Sequence, residues 1–360
     1  MSAGPARERR VRVVHLGPSA AGRGGMGLSI QGLLRSPLAE RYEMVAIPTW
    51  RGTAGRVARV VIFLRALVSF LGWCLRRGPG IVHVHAGTRG SWYRKGVCVA
   101  VAKLMRRPVL LQLRVGPWDI IEFDERIGPV RRAAARQLFA RPDRVVSVSS
   151  AGADLIRTRY GRAGVPVISN PAPEPRLDPV REDGPPTLLY VGGFHDPAKA
   201  GDVFLEALPR ILEACPGARV VMAGPGELPG TGRRLVEERP EVTWLGWLDE
   251  QAKADAFAAT EVFVLPSRSE GMPNAMLEAM ANGRAVVAAE VGGVPDIVTD
   301  HEDGLLVPAG DAEALAGAVS ELLADGALRA RLGTAARSRA ERLTRDEVWG
   351  RLDAVYRELA

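Results

Sequence analysis

Cysteine is scarce: Cys74, Cys98 and Cys215 are the only three in 360 residues. The number is odd and the spacing fits neither a disulfide framework nor a zinc site, so they read as buried, reduced thiols in a cytoplasmic setting. No D-x-D motif occurs, and no bound metal is expected. The longest apolar run, Val60 to Leu75, is interrupted by Arg65 and falls short of the roughly 20 residues that a spanning helix needs. The basic leader MSAGPARERR is followed only by a short apolar run, Val11 to Leu16, so it is not expected to be a secretory signal. With 47% apolar and 25% charged residues, the composition is globular rather than fibrous or disordered.

The length exceeds one typical core and predicts two domains. Charge is divided unevenly between them. Residues 1–180 hold 30 Lys and Arg against 11 Asp and Glu, a net +19, whereas residues 181–360 hold 18 against 30, a net −12. A basic first half implies an anionic partner: a membrane surface, a lipid-linked phosphate or a nucleic acid. The arginines are scattered, without interleaved aromatics or a binding motif, so nucleic acid is not expected.

The chemistry concentrates in Ser269 to Val298. Glu261 to Pro266 reads as a strand, Ser267 to Met272 as a loop, and Pro273 to about Asn282 as a helix closed by Gly283. The free amides and positive dipole end of that helix face the loop carrying Glu270, which makes an anion site beside an acid. Glu270 and Glu278 are separated by seven residues. Carboxylates accept paired hydrogen bonds from vicinal hydroxyls, and a helix start holds phosphate, so the pair suits a nucleotide sugar. A bare pair of this kind also occurs on ordinary surface helices.

The stretch EGMPNAMLEAMANGRAVVAAEVGGVPDIV resembles the donor-site segment of the retaining glycosyltransferases of family 4, which have the GT-B fold. The resemblance implies that Glu270 contacts the transferred sugar, that Glu278 binds the ribose, and that the backbone of Gly271, Met272, Pro273 and Asn274 faces the sugar and diphosphate. It also implies an α/β architecture of two Rossmann-like parallel-sheet domains facing across a cleft. The expected division is 1–171 for an acceptor-binding domain, 172–186 for a linker, 187–340 for a nucleotide-sugar-binding domain, and 341–360 for a helix crossing back.

Along the chain, Val11 to Leu16 reads as the first strand, followed by the glycine loop GPSAAGRGGMG. Gly22, Gly24 and Gly27 satisfy G-x-G-x-x-G, with Glu43 downstream, which keeps a dinucleotide-binding reading open. The family resemblance instead assigns Gly24 and Gly25 to the donor diphosphate. Arg56 to Arg77 is an apolar helix flanked by basic residues, either packed on the sheet or lying on a membrane face. The strand ending at His85 and the run RGSWYRK look like the branch that builds bacterial surface polysaccharides. His85, Arg89 and Arg94 are the acceptor-side candidates, with His85 also readable as a core histidine.

Pro108 to Arg114 is a strand, and relatives often place a histidine where Arg114 stands. Arg144 to Ser150 and Val165 to Asn170 complete the first sheet. In the second half, Thr187 to Val191 leads into Gly192-Gly193, with Lys199 six residues beyond Gly193. The family usually has an arginine at Gly193 and a lysine at Lys199, both neutralising the diphosphate. His195 and Arg114 are candidates to make up for the missing arginine. Gly224 and Gly246, after two further strands, are implied to cup the base.

Together these expectations describe transfer of a sugar from a nucleotide-diphosphate donor to a hydroxyl, with retained configuration and with Glu270, Lys199 and Arg114 at the reacting centre. No cofactor beyond the donor substrate is expected. The acceptor is expected to be a glycan or a lipid-linked one, with possible peripheral contact between the basic first half and an anionic membrane at the inner face of the cell. The alternative is a catalytically impaired subunit that binds but does not turn over, given Arg114 and Gly193.

Overall fold

The structure, a computed structural model, describes residues 10–19, 25–51, 55–87, 90–126, 128–175 and 184–360. Gly24, Arg89 and the linker residues 176–183 lie outside the described residues. The chain divides into two compact units. One runs up to Val115 and adds Asp119–Asn170 and Asp346–Ala360; the other comprises Gly116–Trp118 and Pro171–Arg345.

The first unit is built on a parallel sheet of β1 (Arg12–Pro18), β2 (Glu43–Trp50), β3 (Gly80–Ala86), β4 (Val109–Leu113) and β5 (Arg144–Ser147), in the order β2-β1-β3-β4-β5. Its helices are α1 (Gly25–Leu34), α2 (Leu38–Arg41), α3 (Arg56–Leu75), α4 (Gly90–Leu104), α5 (Pro117–Arg126), α6 (Pro129–Ala140) and α7 (Ser150–Tyr160). The second unit has β6 (Thr187–Val191), β7 (Arg219–Ala223), β8 (Val242–Trp244), β9 (Val262–Leu265), β10 (Ala285–Ala289) and β11 (Leu305–Val307), ordered β11-β10-β9-β6-β7-β8. A 3-10 turn, Pro197–Lys199, precedes α8 (Gly201–Ala214), α9 (Gly230–Glu238), α10 (Glu250–Ala258), α11 (Asn274–Ala281), α12 (Ala312–Ala324) and α13 (Gly326–Ala340). The last helix, α14 (Arg345–Leu359), packs in the first unit.

Every residue of β3, β4, β9 and β10 is buried, as strands covered by helices on both faces must be, so β9 and β10 are unbroken apolar runs and β3 and β4 are interrupted only by His83, His85 and Gln112. In each sheet the strand order reverses once, between β1 and β3 and between β6 and β9. Loops leaving the carboxyl ends of those neighbouring strands diverge and leave a crevice for ligands.

Four sequence expectations change. Val165 to Asn170 is not a sixth strand: only an isolated bridge joins Val167 to Ser147. Pro166 has no N–H to continue a ladder. Two strands, β2 and β10, went unread. The former carries Pro48, and the latter, AVVAA, is mostly alanine, a residue depleted in strands. The helix expected from Pro273 begins at Asn274, with Pro273 as N-cap, and ends at Ala281 before left-handed Gly283. Finally, Val57–Leu75 in α3 does have the length and hydropathy of a span. Its inner face, however, carries Ala66, Phe70, Trp73 and Cys74 buried in the core of the first unit.

α14 is held by polar bonds as well as by Val348, Leu352 and Val355. Asp353, nearly buried, accepts from Tyr42 Oη at 2.8 Å and pairs with Arg41 at 2.8 Å and Arg357 at 2.6 Å. Burial and that carboxylate push the Tyr42 phenol up to about 12. Asp353→Ala should strip the buried phenol of its acceptor and cost about 2–3 kcal/mol, read as a lower urea midpoint for the first unit. An unchanged midpoint would show that the helix is held by its apolar face alone.

Candidate active site

In the second unit the loops that diverge at the β6/β9 reversal carry Lys199 and Glu270. Their side chains meet: Lys199 Nζ lies 2.7 Å from Glu270 Oε1, and Ser267 Oγ donates to the same oxygen at 2.7 Å. The Glu270 side chain is only 7% exposed, so it sits in surroundings where an unpaired carboxylate would be costly. Both bonds go to Oε1, and neither uses Oε2.

Backbone geometry fixes the Glu270 loop. Gly292 adopts φ +56°, and a Cβ there would lie 1.7 Å from the Glu270 carbonyl oxygen, so only glycine admits this approach. Gly224 is similar: φ is +156°, and a Cβ would fall 2.1 Å from the carbonyl oxygen of Gly192. Through Gly192 N–H to Ala223 O at 2.9 Å and Gly224 N–H to Gly246 O at 2.8 Å, the turns after β6, β7 and β8 are tied side by side. Gly193 belongs to the first of these turns. The ring of His195 lies against both Gly193 and Gly226, where an added Cβ would come within 2.8 Å and 2.7 Å of it.

α11 starts beside Glu270. Met276, Leu277, Met280 and their alanine neighbours anchor it in the core, while its N-cap, Pro273, lends no side-chain bond to the first turn. Gly271, Met272 and Pro273 are buried, and Asn274 is half-buried. Glu278, on this helix, pairs with Lys253 of α10 at 2.8 Å through Oε1. Its other oxygen, Oε2, is buried and has no partner. Lys253 and Ser267 went unread because a lysine on a polar helix and a serine in a loop carry no local signal. The D-x-x-x-K spacing from Asp249, which caps α10, could have drawn attention to Lys253 only in retrospect.

The first unit holds a second polar cluster, at its own β1/β3 reversal. His15, His83 and His85 are all buried, with nitrogen atoms within 4.8 Å of one another. Arg114 donates from Nε to His85 Nδ1 at 2.9 Å, from Nη1 to Asn170 Oδ1 at 2.8 Å and from Nη2 to Gln112 Oε1 at 2.8 Å. Arginine has only donors, so His85 Nδ1 accepts, its Nε2 carries the proton, and it donates to His15 Nδ1 at 3.1 Å. His15 Nε2 then bears a hydrogen that is buried without a partner. His83 lies between Gln112 Oε1 at 3.1 Å and Tyr356 Oη at 2.7 Å. Tyr356 therefore donates to Nδ1, because Gln112 Oε1 only accepts.

Burial, then the charge of Arg114, lowers His15 to about 3; His83 and His85 are also well below the usual histidine range. Burial brings Arg114 down to about 10. The cluster is a poor metal site. His83 and His85 stack with centroids 4.1 Å apart, so their in-plane lone pairs do not converge, and a fixed cation adjoins them. His85 is fully buried, so of its two readings the structure favours the interior one. Arg94 lies in the first turns of α4, half-buried, with burial and nearby Arg59 lowering its pKa. Gly25 begins α1.

The histidines make the first unit acid-sensitive. Below about pH 6.5 the unfolded chain takes up protons that these sites refuse, so stability falls as pH drops toward 3, by about 1.4 kcal/mol per unit for each histidine. His15→Gln is expected to remove about one proton from that slope in unfolding titrations between pH 4 and 6. An unaltered slope would mean that His15 is already charged in the folded chain.

Residues 185–325 match the family described as glycosyl transferases group 1. A phosphatidyl-myo-inositol mannosyltransferase of Mycobacterium leprae (strain TN) is 33% identical over 178 residues, covering 48% of this chain and 47% of that protein. The chain spans about half the length of the curated relatives it matches. Among solved structures, sucrose-phosphate synthase from Thermosynechococcus elongatus aligns with a TM-score of 0.77 at 21% identity, over 97% of this chain and 99% of the other. Anabaena HepE in complex with UDP and glucose aligns with a TM-score of 0.73 at 16% identity, over 97% and 100%. The second unit thus carries the sequence match to the group 1 glycosyl transferases, and the chain as a whole, with its two parallel-sheet α/β units, has the GT-B fold of these solved structures.

Proposed function

We propose that the protein transfers a sugar from a nucleotide-diphosphate donor to a hydroxyl of a lipid-linked or growing glycan, with retention of configuration. The observation that carries this reading is the Lys199–Glu270 pair beside the start of α11, with glycine turns from three strands tied next to it. A mannosyltransferase acting on phosphatidyl-myo-inositol among the relatives, and UDP with glucose in a structural neighbour, support the donor and acceptor classes.

In the reaction the bond between the sugar's anomeric carbon and the phosphate oxygen breaks, and its electron pair leaves with the diphosphate. Lys199 and the first-turn amides of α11 stabilise that charge, the largest resource a rigid site has for such a step. Fixed positive charge of this kind makes a metal ion unnecessary. The acceptor oxygen bonds to the anomeric carbon from the face the phosphate leaves, and its proton passes to the departing phosphate. Glu270 Oε2 accepts from sugar hydroxyls while Lys199 and Ser267 hold Oε1. Glu278 Oε2, buried without a partner, accepts from the ribose. His195, lying between Gly193 and Gly226, donates to the diphosphate where relatives carry an arginine.

Release of nucleoside diphosphate from a panel of nucleotide sugars, with a lipid-linked acceptor and with EDTA present, tests this reading. Lys199→Ala and Glu270→Gln should each lower kcat by about 10²–10³ while the wild type turns over. A wild type that binds donors but never turns over would support the impaired-subunit alternative. Lys253→Met is expected to raise the donor KM about tenfold with a smaller change in kcat, because Glu278 loses the cation that orients it, and Lys253→Arg should recover most of the loss. Equal effects of Met and Arg would remove Lys253 from donor binding.

A further inference from the structure

α3 has two apolar faces, and only one is covered. Val57, Val60, Val61, Leu64, Val68, Leu71 and Leu75 recur at steps of three, four and seven, and all are exposed, Val57 by 79% and Val68 by 70%. At 100° per residue these seven fall in one stripe, opposite the buried Ala66, Phe70 and Trp73. They are seven of the fifteen large apolar side chains exposed among the described residues. The adjoining helix α4 adds Tyr93, Val97 and Leu104, again on a single face.

The helix cannot leave the fold to cross a bilayer. Arg12 donates to the carbonyl oxygens of Trp73 and Arg76, and its guanidinium lies 4.9 Å over the Trp73 ring. Arg107 donates to Cys74 O at 2.7 Å and Gly78 O at 2.7 Å. Two arginines thus close the carboxyl end of α3 against the first unit.

Charge selects the occupant of the open face. From residue 44 to residue 118 there is no Asp or Glu, against thirteen Lys and Arg. On α3 itself Arg59 and Arg65 are exposed, and Arg76 and Arg77 follow its end. A second copy of this chain would bring one acid-free surface against another and leave those cations opposed. An anionic lipid surface satisfies both features, taking the apolar stripe among its acyl chains and the arginines among its headgroups.

We propose that α3, with α4 beside it, is the face by which the first unit lies on an anionic bilayer. This deepens the reading of a lipid-linked acceptor, but its test needs neither donor nor acceptor, so the two can fail separately. Flotation of the full chain with vesicles of phosphatidylcholine alone, or with roughly one-third phosphatidylglycerol, reads the binding directly. The protein should float with the anionic vesicles and not with the neutral ones, and about 0.5 M salt should release much of it. Leu64→Gln/Val68→Gln, on side chains that contribute little to the core, should weaken anionic-vesicle binding at least about tenfold with an unchanged melting temperature. Arg65→Glu should weaken it by a smaller factor. Equal binding to both vesicle types, or anionic binding untouched by the double substitution, would overturn the proposal. So would a wild type that stays off vesicles and runs as a dimer that Leu64→Gln/Val68→Gln dissociates.

Discussion

A carboxylate that is 7% exposed has to be matched by a cation and a donor, and Glu270 is matched by Lys199 and Ser267 on a single oxygen. Much else in the second unit follows from that requirement. Lys199 reaches Glu270 only because β6 and β9 are neighbours at the point where strand order reverses, so the loops after them open side by side. The Glu270 loop keeps its path because Gly292 lets the backbone pass where any side chain would collide with the Glu270 carbonyl. Charge-assisted hydrogen bonds of this kind are worth about 1.5–3 kcal/mol each, enough to hold a loop but not to fill the second oxygen's capacity. The remaining oxygen keeps its capacity to accept a hydrogen bond.

The same economy recurs at Glu278, where Lys253 takes one oxygen and the other stays buried and unmatched. An unmet acceptor inside a fold is a standing cost that a hydroxyl ligand would relieve. The first unit solves a different problem with the same parts. Arg114, charged and enclosed, is met by three neutral acceptors, His85, Asn170 and Gln112, rather than by a carboxylate. Its charge is therefore distributed and not neutralised, and it adds to the burial that chiefly keeps the histidines around it from protonating.

Local features were legible in the sequence and long-range ones were not. The two-sheet architecture follows from strands alternating with helices along the chain and is the one observed, and Glu270 and Glu278 lie just before and within α11. Val165 to Asn170 forms only a bridge to Ser147 and not the strand expected there, because Pro166 removes a donor that a ladder needs. Lys253, Ser267 and the histidine network were invisible for another reason. His15 meets His85 across 70 residues, and His83 meets Tyr356 across 273, so only the sheet order brings them together. Sequence pattern determines which face of an element is buried; it does not say which distant polar group waits there.

α3 illustrates how composition and periodicity differ as evidence. Its apolar content permitted both a sheet-packed helix and a membrane-facing one, and the two readings seemed to compete. The structure buries one side of α3 in the core of the first unit and leaves the other apolar side exposed. A helix apolar all round needs two neighbours, and the sheet supplies one. The stripe at 57, 60, 61, 64, 68, 71 and 75 defines where the other must lie, and the absence of acid from residues 44 to 118 defines its charge. Neither argument identifies the partner by itself, since apolar stripes also pair with their own kind and basic surfaces also attract soluble polyanions. A neighbour that is at once apolar within and anionic at its rim meets both conditions, and a bilayer is built that way.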